Sequence, residues 1–178
     1  KPYYIYNTRK DVSPMEIIIS EEIDPSYLKL VRSILENSDF QKLHSYTQHI
    51  NTTRLIHSIN VSYIAWLMAR KLHLDEKTAA RAGLLHDFCL YDFSEKGPGG
   101  EAQVFYHPKA AAYNSSEHFP LSDKEYRAIL SHMFPLGPVP TSREAWLISL
   151  ADKFCAVVEA MQVRVAMARR GRVILSFA

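Results

Sequence analysis

The sequence predicts an all-α fold, a bundle of six or seven helices around one hydrophobic core. Its 178 residues suit a single domain. Apolar residues recur at helical spacing in one segment after another, and capping residues or proline and glycine separate these segments. Residues that favour strands are concentrated near the N-terminus. We therefore expect an N-terminal arm over 1–22, a helical domain over 23–168 and a C-terminal tail over 169–178.

The first half of the chain contains signals for three helices. The arm is rich in tyrosine and β-branched residues, which predicts extended backbone. Asp24 followed by Pro25 predicts a helix start, with apolar spacing to about residue 37. We expect a short helix over 39–48 and a long one over 52–72. His57 falls on the apolar stripe of the long helix, so it is predicted to point inward.

The second half alternates capping signals with breaks. Asp75 predicts a helix over about 76–88, and a loop with the letters GPGG follows over 91–106. Pro108 is expected to begin the next helix, and Ser122 with Glu125 forms a capping box for a helix that ends near His132. Ser142 is predicted to cap the last long helix. The apolar face of that helix is expected to contain Leu147, Leu150, Ala151, Phe154, Val157 and Val158.

Composition excludes several classes of protein. The net charge of +2 gives no signal for nucleic-acid binding or an anionic membrane surface. Charged residues break the apolar runs well short of the ~20 residues that span a bilayer. The only cysteines, Cys89 and Cys155, are far apart and form neither a disulfide framework nor a CxxC pair. We expect a cytoplasmic protein.

Six residues are candidate metal ligands because they interrupt apolar patterns or stand at helix ends. A buried carboxylate needs a partner, so the His-Asp pair in AGLLHDFCLYDF indicates a cation or a hydrogen-bond network. Taken singly, each has a structural alternative, such as a core histidine or a helix cap. Imidazole and carboxylate together suit divalent Fe, Mn, Co, Ni or Zn. The six are His57, His86, Asp87, His107, His132 and Asp152.

The order of the segments RLIHSINV, AGLLHDF, SHM and SLADKF resembles that of the HD superfamily of metal-dependent phosphohydrolases, especially bacterial stand-alone HD proteins. The resemblance covers about 54–159 and implies an HD-domain helical bundle with the metal site in its core. It implies one or two divalent transition metals. The first would be held by His57, His86, Asp87 and Asp152. Asp87 would also bridge to a second metal on His107 and His132, so that the catalytic carboxylates are Asp87 and Asp152.

The resemblance also implies a reaction, in which metal-activated water cleaves a nucleotide or another small phosphoester. A substrate phosphate requires positive charge nearby. Arg54, Lys109 and Lys153 each lie within one helical turn of a predicted ligand, and we predict that they bind substrate. The alternative is that these three are solvated surface charges.

Two other functions fit the same residues. Dinuclear HD proteins include diiron oxygenases, which would require bound iron and oxygen uptake. A non-catalytic, metal-stabilised regulatory or dimerisation module is the other alternative. In that case Tyr3, Tyr4 and Tyr6 of the arm and the basic segment MARRGRVIL would contact a second subunit in a homodimer.

Overall fold

Seven α-helices build the described part of the protein, and the predicted all-α bundle is confirmed. A computed structural model describes residues 3–5, 15–17, 24–49, 52–94 and 96–160. The rest of the predicted arm, the end of the predicted helical domain and the tail lie outside the described residues. The helices are α1 (Pro25–Leu35), α2 (Ser38–Gln41), α3 (Arg54–Lys71), α4 (Glu76–Leu85), α5 (Gln103–His118), α6 (Asp123–Ser131) and α7 (Arg143–Ala160).

Short strands accompany the helices in two antiparallel pairs. In the N-terminal region β1 (Tyr3–Ile5) pairs with β2 (Met15–Ile17). Before α3, the strands β3 (Thr47–His49) and β4 (Thr52–Thr53) pair, with Thr47 opposite Thr53. The second pair brings residues 47–49 beside the start of α3.

Helix α3 lies at the centre of the bundle, packed against α4 and α7. Trp66 of α3 is fully buried. A Cβ atom on Gly83 of α4 would lie 3.0 Å from the Cα atom of Ser62, so the missing side chain lets α3 and α4 approach closely. The Ser62 hydroxyl also donates to the Ala80 carbonyl at 2.6 Å. This close approach sets the end of α4 against α3.

Each predicted capping residue accepts a hydrogen bond from a backbone N–H. The Asp24 and Asp75 side chains cap α1 and α4, and Ser142 accepts from Ala145 at the start of α7. The Ser122–Glu125 capping box is complete, because each side chain accepts from the backbone N–H of the other residue. Local hydrogen bonding therefore fixes these helix starts where the sequence indicated.

Two helix predictions were wrong in part. One helix was predicted over 39–48. Instead α2 ends at Gln41, a 3₁₀ turn follows, and the chain then forms β3. The reason is pairing with β4, and the Arg54 N–H also donates to the Tyr46 carbonyl. Pro108 lies inside α5 instead of starting it. An interior proline removes one backbone hydrogen bond and crowds the carbonyl four residues earlier, here that of Val104.

The apolar face of α7 is confirmed in part, because Ala151 is buried and Leu147 packs against the core, but the rest of it is rotated relative to the prediction. Leu150, Phe154 and Val157 are exposed. The inward face instead contains Ile148, Asp152, Cys155 and Glu159, which recur at helical spacing. Because Asp152 points to the bundle interior, the bulkier apolar stripe turns outward. Among the described residues, no helix combines the length and the hydropathy that crossing a bilayer requires.

Candidate metal centre

The six predicted ligands meet in the interior as two clusters that share Asp87. In each cluster the candidate ligand atoms lie within 4.8 Å of one another. One cluster is His57, His86 and Asp87, and the other is Asp87, His107 and His132. Asp152 joins the first cluster, since its Oδ1 atom lies 3.0 Å from His57 Nε2 and 3.6 Å from His86 Nε2.

Helix ends and helix interiors both contribute to the site. His57 lies in the first turn of α3, and Asp152 lies in the middle of α7. His86 is the C-cap residue of α4, with Asp87 directly after it, and His132 is the C-cap residue of α6. His107 lies in the second turn of α5. The packing of α3 with α4 and α7 therefore determines the first cluster, and α5 and α6 complete the second.

Backbone carbonyls orient three of the four imidazoles. A carbonyl oxygen only accepts hydrogen bonds, so each facing Nδ1 atom carries a proton and each Nε2 atom is directed to the cluster. The bonds run from His86 to Gly83 at 2.8 Å, from His107 to Gln103 at 2.7 Å and from His132 to Ile129 at 2.7 Å.

A carboxylate orients the fourth imidazole. His57 Nδ1 donates to Glu159 Oε2 at 2.8 Å, and Asn60 donates to the other carboxylate oxygen at 3.2 Å. This arrangement directs His57 Nε2 toward Asp152. Hydrogen bonds that a histidine N–H donates to a carboxylate in this way orient the histidine at metal sites and raise its basicity as a ligand.

The Asp87 carboxylate spans both clusters. Its Oδ2 atom lies 3.4 Å from His86 Nε2. Its Oδ1 atom lies 3.4 Å from His107 Nε2 and 3.7 Å from His132 Nε2. One carboxylate oxygen thus faces each cluster, which is the geometry that a bridging ligand requires.

The donor set fits divalent metal ions. His86 Nε2 and Asp87 Oδ1 are buried without a hydrogen-bond partner, and an unpartnered buried polar atom is costly. His107 Nε2 and His132 Nε2 lie only 2.9 Å apart. Two lone pairs at this distance repel each other unless a proton or a cation lies between them. Imidazole nitrogens with carboxylate oxygens are the ligand types that first-row transition metals prefer.

The histidines of the two clusters differ in their pKa values. Burial opposes protonation of His57, but its bonds to Asp152 and Glu159 prevail and raise its pKa to about 9. Burial likewise opposes protonation of His86, while the charge of Asp87 prevails and raises the pKa of His86 to about 10. Burial and the neighbouring histidines lower the pKa of His132 to about 3.

The pKa values of the Asp87 and Asp152 carboxyl groups are lowered. Burial alone would raise the pKa of Asp87, but the facing His86 holds it well below its ordinary value. Burial would also raise the pKa of Asp152, and its hydrogen bond with His57 holds it well below that value. Both carboxylates are therefore ionised at neutral pH and able to bind a cation.

The three predicted substrate-binding cations occupy different environments. Arg54 is fully buried and donates to backbone carbonyls, whereas contact with substrate requires an accessible guanidinium. Lys109 is exposed and forms an ion pair with Glu101 at 2.7 Å. Lys109 follows His107 by two residues and therefore lies on another side of α5. Lys153 lies at the site, with Nζ 2.8 Å from the His132 carbonyl and 3.7 Å from Asp152 Oδ2.

Sequence reasoning missed two residues that contact the clusters. Glu159 lies two helical turns after Asp152, so the helical period could have placed both carboxylates on one face of α7. Gln48 donates to Asp87 Oδ2 at 2.5 Å from a short strand. No periodic pattern marks Gln48, and the contact joins residues that are distant in sequence.

Comparison with known proteins gives one family and one group of relatives. The HD domain family matches residues 54–157. Ribonuclease Y of Clostridium perfringens is 46% identical over 76 residues, which cover 40% of this chain and 14% of that protein. Ribonuclease Y of Aquifex aeolicus is 58% identical over 43 residues, covering 24% and 7%. Ribonuclease Y of Thermoanaerobacter pseudethanolicus is 35% identical over 117 residues, covering 63% and 19%.

The relatives match over a minor part of their length, since this chain spans less than a fifth of each. The family match extends over more than half of this chain and includes all six residues of the two clusters. A helical bundle, a buried histidine and aspartate centre and this match agree with one another. The chain therefore belongs to the HD domain family.

Proposed function

We propose that the protein is a metal-dependent phosphohydrolase that cleaves a nucleotide or another small phosphoester. The observation that carries the proposal is the pair of buried clusters joined through the Asp87 carboxylate. Membership of the HD domain family supports it. Because the relatives are named ribonuclease Y, a short oligoribonucleotide is a candidate substrate beside mononucleotides and dinucleotides.

The chain's own residues would hold one or two ions of Fe, Mn, Co, Ni or Zn. His57, His86, Asp87 and Asp152 would hold the first, and Asp87, His107 and His132 the second. When bound, such ions lower the pKa of water toward neutrality and offset charge on phosphate oxygens. The protein fixes the imidazoles through their Nδ1 atoms and keeps both carboxylates ionised.

Lys153 is the predicted cation best placed to meet substrate. Its side chain is 41% exposed, and its ammonium group lies at the rim of the first cluster beside Asp152. A substrate phosphate could replace the His132 carbonyl as the acceptor for this ammonium group. Lys153 would thereby orient a phosphate next to the metal ligands.

The first test is His132→Ala, which removes a residue of the second cluster only. We expect the bound metal to fall from two equivalents per chain to one. Since one metal contributes several kcal/mol of charge stabilisation, we expect phosphoester cleavage to fall by at least about 100-fold. Elemental analysis and an assay on mononucleotides, dinucleotides and an oligoribonucleotide measure the two effects.

His118→Ala is the matched control, because His118 bonds to Asn114 and Asp39 and to none of the six candidate ligands. It should retain metal content and activity. Wild-type protein that is fully loaded with metal and cleaves no phosphoester would contradict the proposal. Iron in both positions together with oxygen uptake would instead favour the diiron oxygenase alternative.

A homodimerisation role is a second candidate, supported by the outer face of α7. Trp146, Leu150, Phe154 and Val157 are between 46 and 59% exposed and follow 4-4-3 spacing, so they form one stripe. The sequence continues this spacing with Met161, Val165 and Ala168, outside the described residues. An uncharged apolar stripe suits a second copy of the chain, because homodimer interfaces are more apolar than transient ones.

Leu150→Glu tests this interface. The stripe lies opposite the face of α7 that carries Asp152, so the substitution should convert dimer to monomer and leave metal content unchanged. Light scattering after gel filtration gives the mass. Leu67→Glu, at an exposed leucine of α3, is the matched control and should stay dimeric. A wild-type protein that is monomeric at micromolar concentration would contradict this role.

A further inference from the structure

We propose that Gln48 is a positioning residue that fixes the Asp87 carboxylate for metal binding, and that Arg54 holds Gln48 in the required orientation. The inference rests on the proposed function of the metal centre. Gln48 lies in β3, before residues 54–157 that match the HD domain family. The feature thus combines a residue outside the matched segment with two residues inside it.

The first contact joins Gln48 to Asp87. The Gln48 amide nitrogen donates to Asp87 Oδ2 at 2.5 Å, and the Asp87 side chain is almost fully buried. A neutral donor satisfies part of the carboxylate without adding a positive charge that would oppose a metal ion. The amide therefore stabilises the ionised carboxylate while leaving the centre able to bind a cation.

Arg54 determines which way the amide faces. Its Nε atom donates to Gln48 Oε1 at 3.1 Å. An arginine only donates, so the amide oxygen must face Arg54 and the amide NH₂ group must face Asp87. The flipped amide would set donor against donor on one side and acceptor against acceptor on the other. Arg54 thus makes Gln48 a donor toward Asp87.

Arg54 is itself rigidly held by the segment that follows Asp87. Its Nη1 atom donates to the Cys89 carbonyl at 2.6 Å and to the Tyr91 carbonyl at 2.9 Å. Its guanidinium carbon lies 3.6 Å from the centre of the Phe93 ring. The buried Arg54 guanidinium therefore holds both the backbone at Cys89 and Tyr91 and the side-chain amide of Gln48.

The orientation matters because the two oxygens of Asp87 have different partners. With Oδ2 bonded to Gln48 on the His86 side, Oδ1 faces His107 and His132. The terminal torsion of an aspartate is broad, so a carboxylate without such a bond samples other angles. Gln48 restricts Asp87 to the angle at which one oxygen faces each cluster.

The experiment compares metal binding by Gln48→Met and Gln48→Ala with the wild type. Methionine matches the length of glutamine but lacks the amide donor. We expect both variants to bind Co²⁺ and Mn²⁺ about 10- to 100-fold more weakly, the usual effect of losing an outer partner of a metal ligand. Titration followed by the visible spectrum of bound Co²⁺ reports affinity and ligand geometry without relying on activity.

Gln41→Ala is the matched control, since Gln41 donates to the Leu35 carbonyl far from the centre. It should bind metal with wild-type affinity. Arg54→Lys keeps the charge but places all its donors on one nitrogen, which cannot occupy the positions of both Nε and Nη1, so the variant should bind metal more weakly. In a Gln48→Met background the same change should add a smaller loss, because only the bonds from Arg54 to the Cys89 and Tyr91 carbonyls then remain to be lost. The Gln48 variants decide the proposal alone, because the buried Arg54 also affects folding.

The outcomes separate this inference from the proposed function. Wild-type metal affinity and an unchanged Co²⁺ spectrum in Gln48→Met would overturn the positioning role. Weak binding by Gln48→Ala with normal binding by Gln48→Met would also overturn it, since packing would then matter and the donor would not. The proposed function would survive both results if His132→Ala still lost metal and activity. Failure of the wild type to bind any metal would overturn both.

Discussion

Asp87→Asn is expected to remove both metal ions and to reduce phosphoester cleavage by about 10⁴-fold or more, since each metal contributes several kcal/mol. Asp87 is the one residue that belongs to both clusters. The amide of asparagine has nearly the same shape but lacks the negative charge, and it offers one oxygen instead of two. Neither cluster would then keep its bridging carboxylate. Elemental analysis of the purified variant and the phosphoester assay measure the two losses.

Asp92→Asn is the matched control for this change. Asp92 lies five residues further along the same segment, is exposed, and accepts a hydrogen bond from the Ser94 N–H. It should retain two metal equivalents and full activity. A result in which Asp87→Asn retained one tightly bound metal would show that the clusters bind independently. The bridging role assigned to Asp87 would then be wrong.

The residues of the centre could be predicted because each breaks a local pattern. His57 interrupts an apolar stripe of α3, and His86 with Asp87 ends the apolar run of α4. Burial of such polar groups is costly without a partner, so their positions indicated that they contact one another or a bound cation. The family order then indicated which of them would converge. The structure brings all of them together.

The supporting residues could not be predicted in this way. Gln48 and Asp87 are 39 positions apart, and His57 and Glu159 are 102 apart. Hydrogen bonds between distant segments have no period in the sequence. Arg54 illustrates the same limit, since its proximity to His57 suggested substrate binding while its observed partners are Gln48 and two backbone carbonyls.

Helix α7 shows why apolar content alone does not fix the buried face. Its bulkiest apolar side chains, including Leu150 and Phe154, are exposed. A different stripe points inward because Asp152 and Glu159 must face the histidines of α3 and α4. Contact of these two carboxylates with the histidines therefore determines the buried face of α7, although it leaves Leu150 and Phe154 exposed. We expect the exposed stripe to be covered by the partner subunit in the proposed homodimer.

Arg81→Met is expected to lower the free energy of unfolding by about 3–5 kcal/mol, the usual result of removing one partner from a buried ion pair. Arg81 on α4 donates to Glu125 Oε1 at 2.7 Å and to the Pro120 carbonyl at 2.9 Å. Both side chains of the ion pair are less than 10% exposed. Removal of the guanidinium leaves the Glu125 carboxylate buried with uncompensated charge. Urea unfolding followed by circular dichroism measures the loss.

Arg127→Met is the control for the same change of residue type. Arg127 pairs with Asp123 one turn earlier on α6, and both side chains are more than half exposed. Such a pair contributes at most about 0.5 kcal/mol. A loss below 1 kcal/mol in Arg81→Met would show that the buried pair does not stabilise the fold.

The same ion pair has a consequence for the metal centre. Glu125 also accepts from the backbone and hydroxyl of Ser122, so one carboxylate links the start of α6 to α4. His86 and His132 are the C-cap residues of these two helices. A variant that loosens their packing should therefore weaken metal binding at the second cluster while still folded. Co²⁺ titration of Arg81→Met well below its unfolding temperature should reveal that loss, and Arg127→Met should bind as the wild type does.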